Sequence, residues 1–531
     1  MLFLYQTFRM LIQALIVVAC FSSSLGLAET KKQTGENTLT KPQLARTYFN
    51  IDSNNSKAKQ KSLPKSVIKL LKKYKIPKDN ISVYIRDLNA SKSMLEHNAD
   101  KLRTPASTMK LLTTYAALKE LGPNFSWRTE VWLRGELKQG VLNGDLILKG
   151  YGDPFLVYEN FWKLIKTLRD KGLQQINGDI IIDESYFNLP KHNSAAFDGK
   201  AYRVYNAPAS ALMFNFQATR FLFNPNIDKE VLPKTNDAQK KKKRKKESKI
   251  SGSVDITPLP KIDNFKFKNE VILRSGKCRK SHYRPKFSKD SKGVLVIKGK
   301  YAAACKQNFI LRAVTKPHKH VFNAFRDFWL DLRGSLKGNV KLGKVSSTDE
   351  IFHVYSSPTL GEQMRLINKW SNNVMTKQLL LTLGAKKMSA PATWDKGRKA
   401  VLEVLNDNFI DTQGIRLENG SGLSRIAKIS AKQMGDLLET AFRDPLMPEF
   451  MASMSLAGVD GTLVNRFSKG DMRGRSHLKT GTLDFVTSIA GYMLNRQGKR
   501  LAIVIQHNGK KTGAGRGEKI QNALLRWSFE Q

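Results

Sequence analysis

Apolar and polar positions recur with two different periods along this chain, and the switches between them divide it. Residues 63–73 place Val67, Leu70 and Leu71 at helical spacing, and Ile81-Ser82-Val83-Tyr84-Ile85 alternates as a half-buried strand does. A turn at 87–91 and a second strand at 93–97 lead to Thr104-Pro105-Ala106-Ser107. Pro105 and its small neighbours suit a helix start. Met109, Leu111, Leu112, Tyr115, Ala116 and Leu118 predict an apolar helix that Gly122-Pro123 ends. Residues 126–349 instead hold short alternating runs, such as 130–133, 145–148, 179–182 and 294–297, with turn signals at Asn143-Gly144 and Asn177-Gly178. Helical stretches at 161–169 and 321–332 interrupt them. From about residue 350 the helical period returns, at 360–370, 375–383, 394–405 and 431–442. Strands at 483–494 and 500–507 and an amphipathic helix at 520–527 follow. The pattern predicts a mixed α and β, multidomain chain. A β-rich region of one or two domains, 126–349, is inserted between two parts of another domain, 63–125 and 350–531.

Composition adds an address. The 531 residues exceed what one core supports, and 41% apolar residues describe a globular protein. Arg9 is the sole charge before Glu29, residues 10–21 are apolar, and Gly26-Leu27-Ala28 resembles a cleavage site. Residues 1–28 therefore read as a secretory signal, too short for a comfortable membrane span, and 29–62 as a flexible polar leader. Val17-Val18-Ala19-Cys20 offers a rival reading, a lipoprotein signal anchored at Cys20, although the residues after it are still apolar. Export places the protein in the periplasm. Loss of Arg9 with the signal lowers the formal charge from +45 to +44. Such an excess raises nucleic acid as a partner, but export argues against it and favours anionic envelope polymers or lipid head groups. A solvated basic surface is the plain alternative. The same choice holds for the Lys/Arg run 240–246, a solvated loop or a polyanion site. After signal removal only Cys278 and Cys305 remain, as a disulfide or as two buried thiols.

Three short segments carry the chemistry. In Ser107-Thr108-Met109-Lys110, a spacing of three on a helix brings a hydroxyl and an amine to one face. Serine needs a base, and lysine serves only when neutral, which burial and nearby positive charge favour. Lys479 is the candidate second cation. Ser371-Asn372-Asn373 falls between two helical patterns. Its hydroxyl can relay a proton and the Asn373 amide can donate to substrate and accept from lysine, but Ser and Asn are also ordinary helix N-caps. Lys479-Thr480-Gly481-Thr482 opens a predicted strand that can bind substrate backbone. Gly481 leaves room for close approach, the N–H groups of Ser107 and Thr482 can form an oxyanion hole, and Lys479 supplies charge for a terminal carboxylate. His477, two positions before Lys479, shares its strand face and is either a substrate contact or a packing residue. The eight histidines lack metal-like spacing.

With these motifs the chain resembles the low-molecular-mass, class C penicillin-binding proteins, the D-alanyl-D-alanine carboxypeptidase/endopeptidase family. Further stretches carry the resemblance: Asn98-Ala99-Asp100-Lys101 ahead of 105–118, Gly144-Asp145-Leu146-Ile147-Leu148, Gly152-Asp153-Pro154, Asn206-Ala207-Pro208, Gly420-Ser421-Gly422-Leu423-Ser424-Arg425 and Ala457-Gly458-Val459-Asp460-Gly461-Thr462. The 264-position interval between Ser107 and Ser371 fits a family that inserts domains after the nucleophile helix. The resemblance implies a penicillin-recognising transpeptidase-like domain, an antiparallel sheet flanked by helices, assembled from both ends of the chain. It also implies a serine DD-peptidase acting on peptidoglycan stem peptides through an acyl-enzyme on Ser107, with β-lactams as covalent inhibitors and with no metal or organic cofactor. Lys110, Ser371, Asn373 and Lys479 join Ser107 as catalytic residues; Thr480, Gly481 and Thr482 bind substrate. Asn419 departs from the acidic residue usual before Gly-Ser-Gly, and the basic run is not a family feature. A serine β-lactamase, which needs a deacylating base, and a non-catalytic cell-wall-binding protein are the alternatives.

Overall fold

The computed structural model describes residues 62–228, 250–261, 265–279 and 283–531. The proposed signal, the leader up to residue 61 and the basic run 240–246 lie outside them. A six-stranded antiparallel sheet draws on both ends of the chain. Its strands are β1 (Ile81–Asp87), β2 (Leu95–His97), β3 (Ser455–Leu456), β4 (Ser476–Leu483), β5 (Val486–Leu494) and β6 (Arg500–Asn508), in the order β3-β4-β5-β6-β1-β2. The join between the two ends is β1 on β6, registered from Ile81 opposite His507 to Asp87 opposite Leu501.

The alternation at 81–85 reflects which face each residue serves, but the strand is not half-buried. Val83 and Ile85 pack with Ile503 and Ile505 under α1 (Lys65–Tyr74) and the C-terminal helix Arg516–Glu530. Tyr84, Tyr492 and Val504 face the opposite helical layer. Ser82, which reads as an exposed position, is fully buried because its hydroxyl donates to the Asn98 carbonyl at 2.6 Å and accepts from Arg103 Nε at 2.6 Å. The opposite layer contains α2 (Lys110–Leu121), α3 (Leu360–Lys369), α4 (Asn373–Met388), α5 (Trp394–Asp407) and α6 (Ala431–Arg443). In α2 every residue from Lys110 to Leu118 is buried, as expected of a helix apolar on all sides. Capping boxes at Thr359/Glu362 and Ser430/Gln433 start α3 and α6.

Two expected boundaries shift. The strand expected at 483–494 is broken by a turn at Asp484-Phe485, where Phe485 has φ +65°, so Lys479 falls inside β4 rather than at a strand start. Residues 350–356, counted with the second part of the outer domain, form a strand that closes the edge of the next sheet.

That next sheet has seven strands and mixes both pairings. The strand Val141–Gly150 runs antiparallel to Arg128–Lys138 and parallel to Ile180–Asp183, with the helix Tyr158–Asp170 between them in sequence. This part of the insertion is thus α/β as well as β-rich. The strands Thr219–Ile227, Gly252–Leu259 and Asn308–Arg312 form one three-stranded sheet, and Phe267–Arg274, Lys286–Lys289 and Leu295–Ala302 another, around Phe221, Phe223, Ile297 and Tyr301. Cys278 and Cys305 are bonded there, with 4.8 Å between their Cα atoms. Among the described residues no helix is long and apolar enough to cross a membrane. Replacing Cys278 and Cys305 together by Ser lowers the unfolding free energy of this insertion by about 3–4 kcal/mol, the loop-closure value, as a denaturant titration would read.

Candidate active site

Four segments converge beside β4. The turn Ala106–Met109, which carries the expected nucleophile Ser107, is a 3-10 helix that continues directly into α2. Ala106 is left-handed, with φ +49°, and the turn is pressed between two glycines. A Cβ on Gly422 would meet the Ala106 carbonyl oxygen at 1.8 Å. A Cβ on Gly481 would meet Ser488 Oγ at 2.3 Å, the Pro105 oxygen at 2.8 Å and the Ser107 nitrogen at 2.9 Å. Gly481 and Ser488 are cross-strand partners, and the Ser488 hydroxyl donates to the Pro105 carbonyl. The sheet thereby fixes where Ser107 stands.

Lys110 is fully buried below Ser107. Its Nζ lies 3.1 Å from Ser107 Oγ, 2.5 Å from Asn373 Oδ1 and 2.6 Å from the Ser421 carbonyl oxygen. A neutral amine has two hydrogens and one lone pair. Two of these neighbours are carbonyl oxygens, which accept only, and the third is a hydroxyl, which can donate to the lone pair. The same three partners also satisfy an ammonium, so the neutral form owes its favour to burial and to neighbouring charge rather than to the partner count. Burial first, then the charges of Lys479 and Lys377, hold its pKa well below the ordinary 10.5.

Ser371 is also left-handed, at φ +57°. For a non-glycine residue this is strain of order 1–3 kcal/mol, of a kind that clusters at functional sites. The turn joins α3 to α4 and aims the hydroxyl at Lys479 Nζ, 3.0 Å away. Capping falls to Asn372, whose Oδ1 accepts from the N–H groups of Val374 and Met375. This leaves Ser371 and Asn373 free for the two amines. Lys479 donates a further hydrogen bond to the Thr480 carbonyl at 2.8 Å, and burial lowers its pKa to about 7.

Above these groups lies a cleft of about 990 Å³, lined by Ser107, Ser371, Asn373, Thr480, Gly481 and Thr482 among others. Lys110 and Lys479 do not line it; both work from beneath its floor. His477 does not line it either. That imidazole is half-buried, with its pKa lowered by burial and by Arg500 and Lys369, and is a packing residue.

Two side chains outside the expected catalytic and binding set support the site. Lys377 follows Asn373 by one helical turn on α4 and is buried to 4% exposure. It donates to the carbonyls of Ala207 at 3.0 Å and Tyr205 at 3.4 Å, and burial lowers its pKa to about 8. The four-residue spacing from Asn373 was the available signal. Asn419, where the resemblance fails, shapes the Gly420-Ser421-Gly422 turn. Its Oδ1 accepts from the Ser421 N–H at 3.1 Å and the Ser421 hydroxyl at 2.7 Å, which orients the backbone whose carbonyl holds Lys110.

A buried lysine under a serine, between an antiparallel sheet and a helical layer, defines the penicillin-recognising class of serine acyl-transfer proteins. The chain belongs to the D-Ala-D-Ala carboxypeptidase 3 (S13) family, whose profile matches residues 63–531. It is 27% identical over 447 residues to the D-alanyl-D-alanine carboxypeptidase of Actinomadura sp. (strain R39), covering 80% of this chain and 77% of that one. The structure of penicillin binding protein 4 (dacB) from Haemophilus influenzae superposes with a TM-score of 0.70 at 23% identity, over 88% of this chain and 99% of that one. The same protein complexed with a novel β-lactam gives 0.68 at 22% identity, over 88% and 100%. At such identities the two structures establish a common fold.

Gly481→Ala drives a methyl group into the nucleophile turn. Acylation by a labelled penicillin slows by about a hundredfold or more while the thermal transition persists, measurable by stopped-time gel fluorography.

Proposed function

We propose that the protein is an extracytoplasmic serine DD-peptidase that cleaves D-Ala-D-Ala termini, D-amino-acid cross-links, or both, in peptidoglycan stem peptides. The observation that carries this reading is the fully buried Lys110 Nζ 3.1 Å from Ser107 Oγ, its pKa held down by burial and by Lys479 and Lys377. Ser107 Oγ attacks the scissile carbonyl as its proton passes to Lys110 Nζ. The N–H groups of Ser107 and Thr482 receive the oxyanion, and the close approach of Gly481 to the Ser107 nitrogen supports that placement. Collapse of the tetrahedral intermediate breaks the C–N bond. The Ser371 hydroxyl hands a proton to the departing amine and is replenished from the lysines. Water then hydrolyses the ester by the reverse sequence, restoring Ser107. Thr480 and Thr482, which line the cleft, contact the substrate backbone and terminal carboxylate, with Lys479 contributing its field from below. A β-lactam carbonyl enters the same position and acylates the same oxygen.

The assignment is tested with a labelled penicillin and with a pentapeptide. The wild type is labelled and releases D-alanine; Ser107→Ala is not labelled and loses release by about a thousandfold or more. Equal labelling of the two proteins rejects the assignment, and rapid turnover of penicillin in place of trapping identifies a β-lactamase. The pH profile gives an independent check. Lys110 must be neutral to act, so acylation rises with pH and its acid limb lies well below 10.5. Lys377→Met removes a positive neighbour, which makes Lys110 easier to protonate. The acid limb then moves to higher pH, as rates of penicillin acylation across a buffer series would show.

A further inference from the structure

The acyl-transfer chemistry makes no use of the most basic stretch of the insertion. Residues 265–312 contain fourteen Lys and Arg against two acids, Glu270 and Asp290. Much of this charge sits on one three-stranded sheet, in which Leu295–Ala302 runs antiparallel to Lys286–Lys289 and parallel to Phe267–Arg274. Alternation divides its two faces. Leu273, Leu295, Ile297 and Tyr301 are buried on one side, in a core shared with Phe221 and Phe223 of the neighbouring sheet. The other side carries Lys286, Lys298 and Lys300, all exposed, with Glu270 as its one acid among the described residues.

The register makes that outer face costly. Lys286 is the direct cross-strand partner of Lys298, and like charges so placed destabilise a sheet. Lys300 follows Lys298 by two positions and shares its side. Glu270 is the register neighbour of Lys298, yet among the described residues no carboxylate forms an ion pair with Lys286, Lys298 or Lys300. The other acid, Asp290, is taken by Lys268 at 2.7 Å. The register neighbour of Lys300 is Ile272, 64% exposed, so an aliphatic side chain stands among the ammonium groups. A polyanion in solution answers the charges but leaves Ile272 in water. A bilayer surface answers both, because phosphates meet the ammonium groups while their alkyl stems and the aliphatic group lie in the apolar boundary.

We propose that this sheet face docks the protein on a membrane surface rich in anionic phospholipid. Lys286, Lys298 and Lys300 take the head-group phosphates, and Ile272 enters the acyl boundary. The lipid supplies the counter-charge that the face lacks, which offsets the repulsion between Lys286 and Lys298. None of these four side chains lines the Ser107 cleft, so the inference stands independently of the peptidase reading.

The test sediments the protein recovered after export with vesicles of phosphatidylcholine alone, or of phosphatidylcholine with about a third phosphatidylglycerol. The wild type binds the anionic vesicles about tenfold or more tightly than the zwitterionic ones, and the preference falls as salt rises. Lys286→Gln, Lys298→Gln and Lys300→Gln each weaken binding to the anionic vesicles about fivefold, and the triple variant about a hundredfold. Ile272→Ser weakens it about tenfold and leaves the salt dependence unchanged. All four positions are exposed, so the variants keep a cooperative thermal transition, and Lys286→Gln raises its midpoint by removing the like-charge pair. Equal binding to the two vesicle types, or a preference that survives the triple substitution, overturns the docking face. If inorganic polyphosphate binds as tightly as the anionic vesicles and Ile272→Ser changes neither, the face serves a phosphate polymer and the membrane assignment falls.

Discussion

A fully buried amine, Lys110, is the constraint around which the proposed site is organised. An amine in water stays protonated, so Lys110 has to be dried, and a dried amine needs acceptors for its hydrogens. Asn373 and Ser421 provide them, and the two other buried lysines, 479 and 377, raise the electrostatic cost of protonation. The arrangement costs stability. Lys479 titrates near 7 in the fold and returns to about 10.5 on unfolding, so between those values the unfolded chain binds more protons. The penalty from Lys479 is complete below about pH 7 and disappears as pH rises toward 10.5.

Drying the amine is not enough; the hydroxyl must be held at the same point. This explains why glycines recur around Ser107. Gly481 approaches from the sheet and Gly422 from the loop after α5, and neither position has room for a methyl group. Ala106 and Ser371 are held in left-handed backbone where side chains are disfavoured. The strain is carried just before Ser107 and at Ser371, and ordinary capping is delegated to Asn372.

Much of this was legible in the sequence because the site is built from local motifs with fixed offsets. Ser107 and Lys110 are three apart on one helix, and Ser371 and Asn373 flank a cap, so their geometry follows from helix rules. The fold class and the helices on both sides of the insertion follow from periodicity in the same way. The errors have physical causes. Strand 81–85 alternates because each side faces a different core, which a period of two cannot separate from one core and solvent. Lys479 is expected at a strand start, whereas β4 already begins at Ser476. The strand Glu350–Ser356 pairs with Arg128–Lys138, more than two hundred positions away, and no local signal carries that pairing. Lys377 escaped notice because its role depends on carbonyl groups, which any sequence offers at every position, and Asn419 stood out only as a departure from the family pattern.

Those same carbonyls explain how an insertion can bear on chemistry that it does not perform. Lys377 belongs to the helix that carries Asn373, yet its ammonium holds the carbonyls of Tyr205 and Ala207, in the segment that forms the cleft wall. Asp198 extends the link, since it accepts from the Tyr205 hydroxyl and from Asn206 Nδ2 at 2.8 Å. A displacement of the wall therefore alters the acceptors of a buried cation, and through its charge the basicity of Lys110. The position of the wall and the protonation of Lys110 are coupled by one side chain. That coupling requires a lysine with carbonyl partners: a methionine of similar length fills the space but carries no charge, and a glutamate would attract protons to the base.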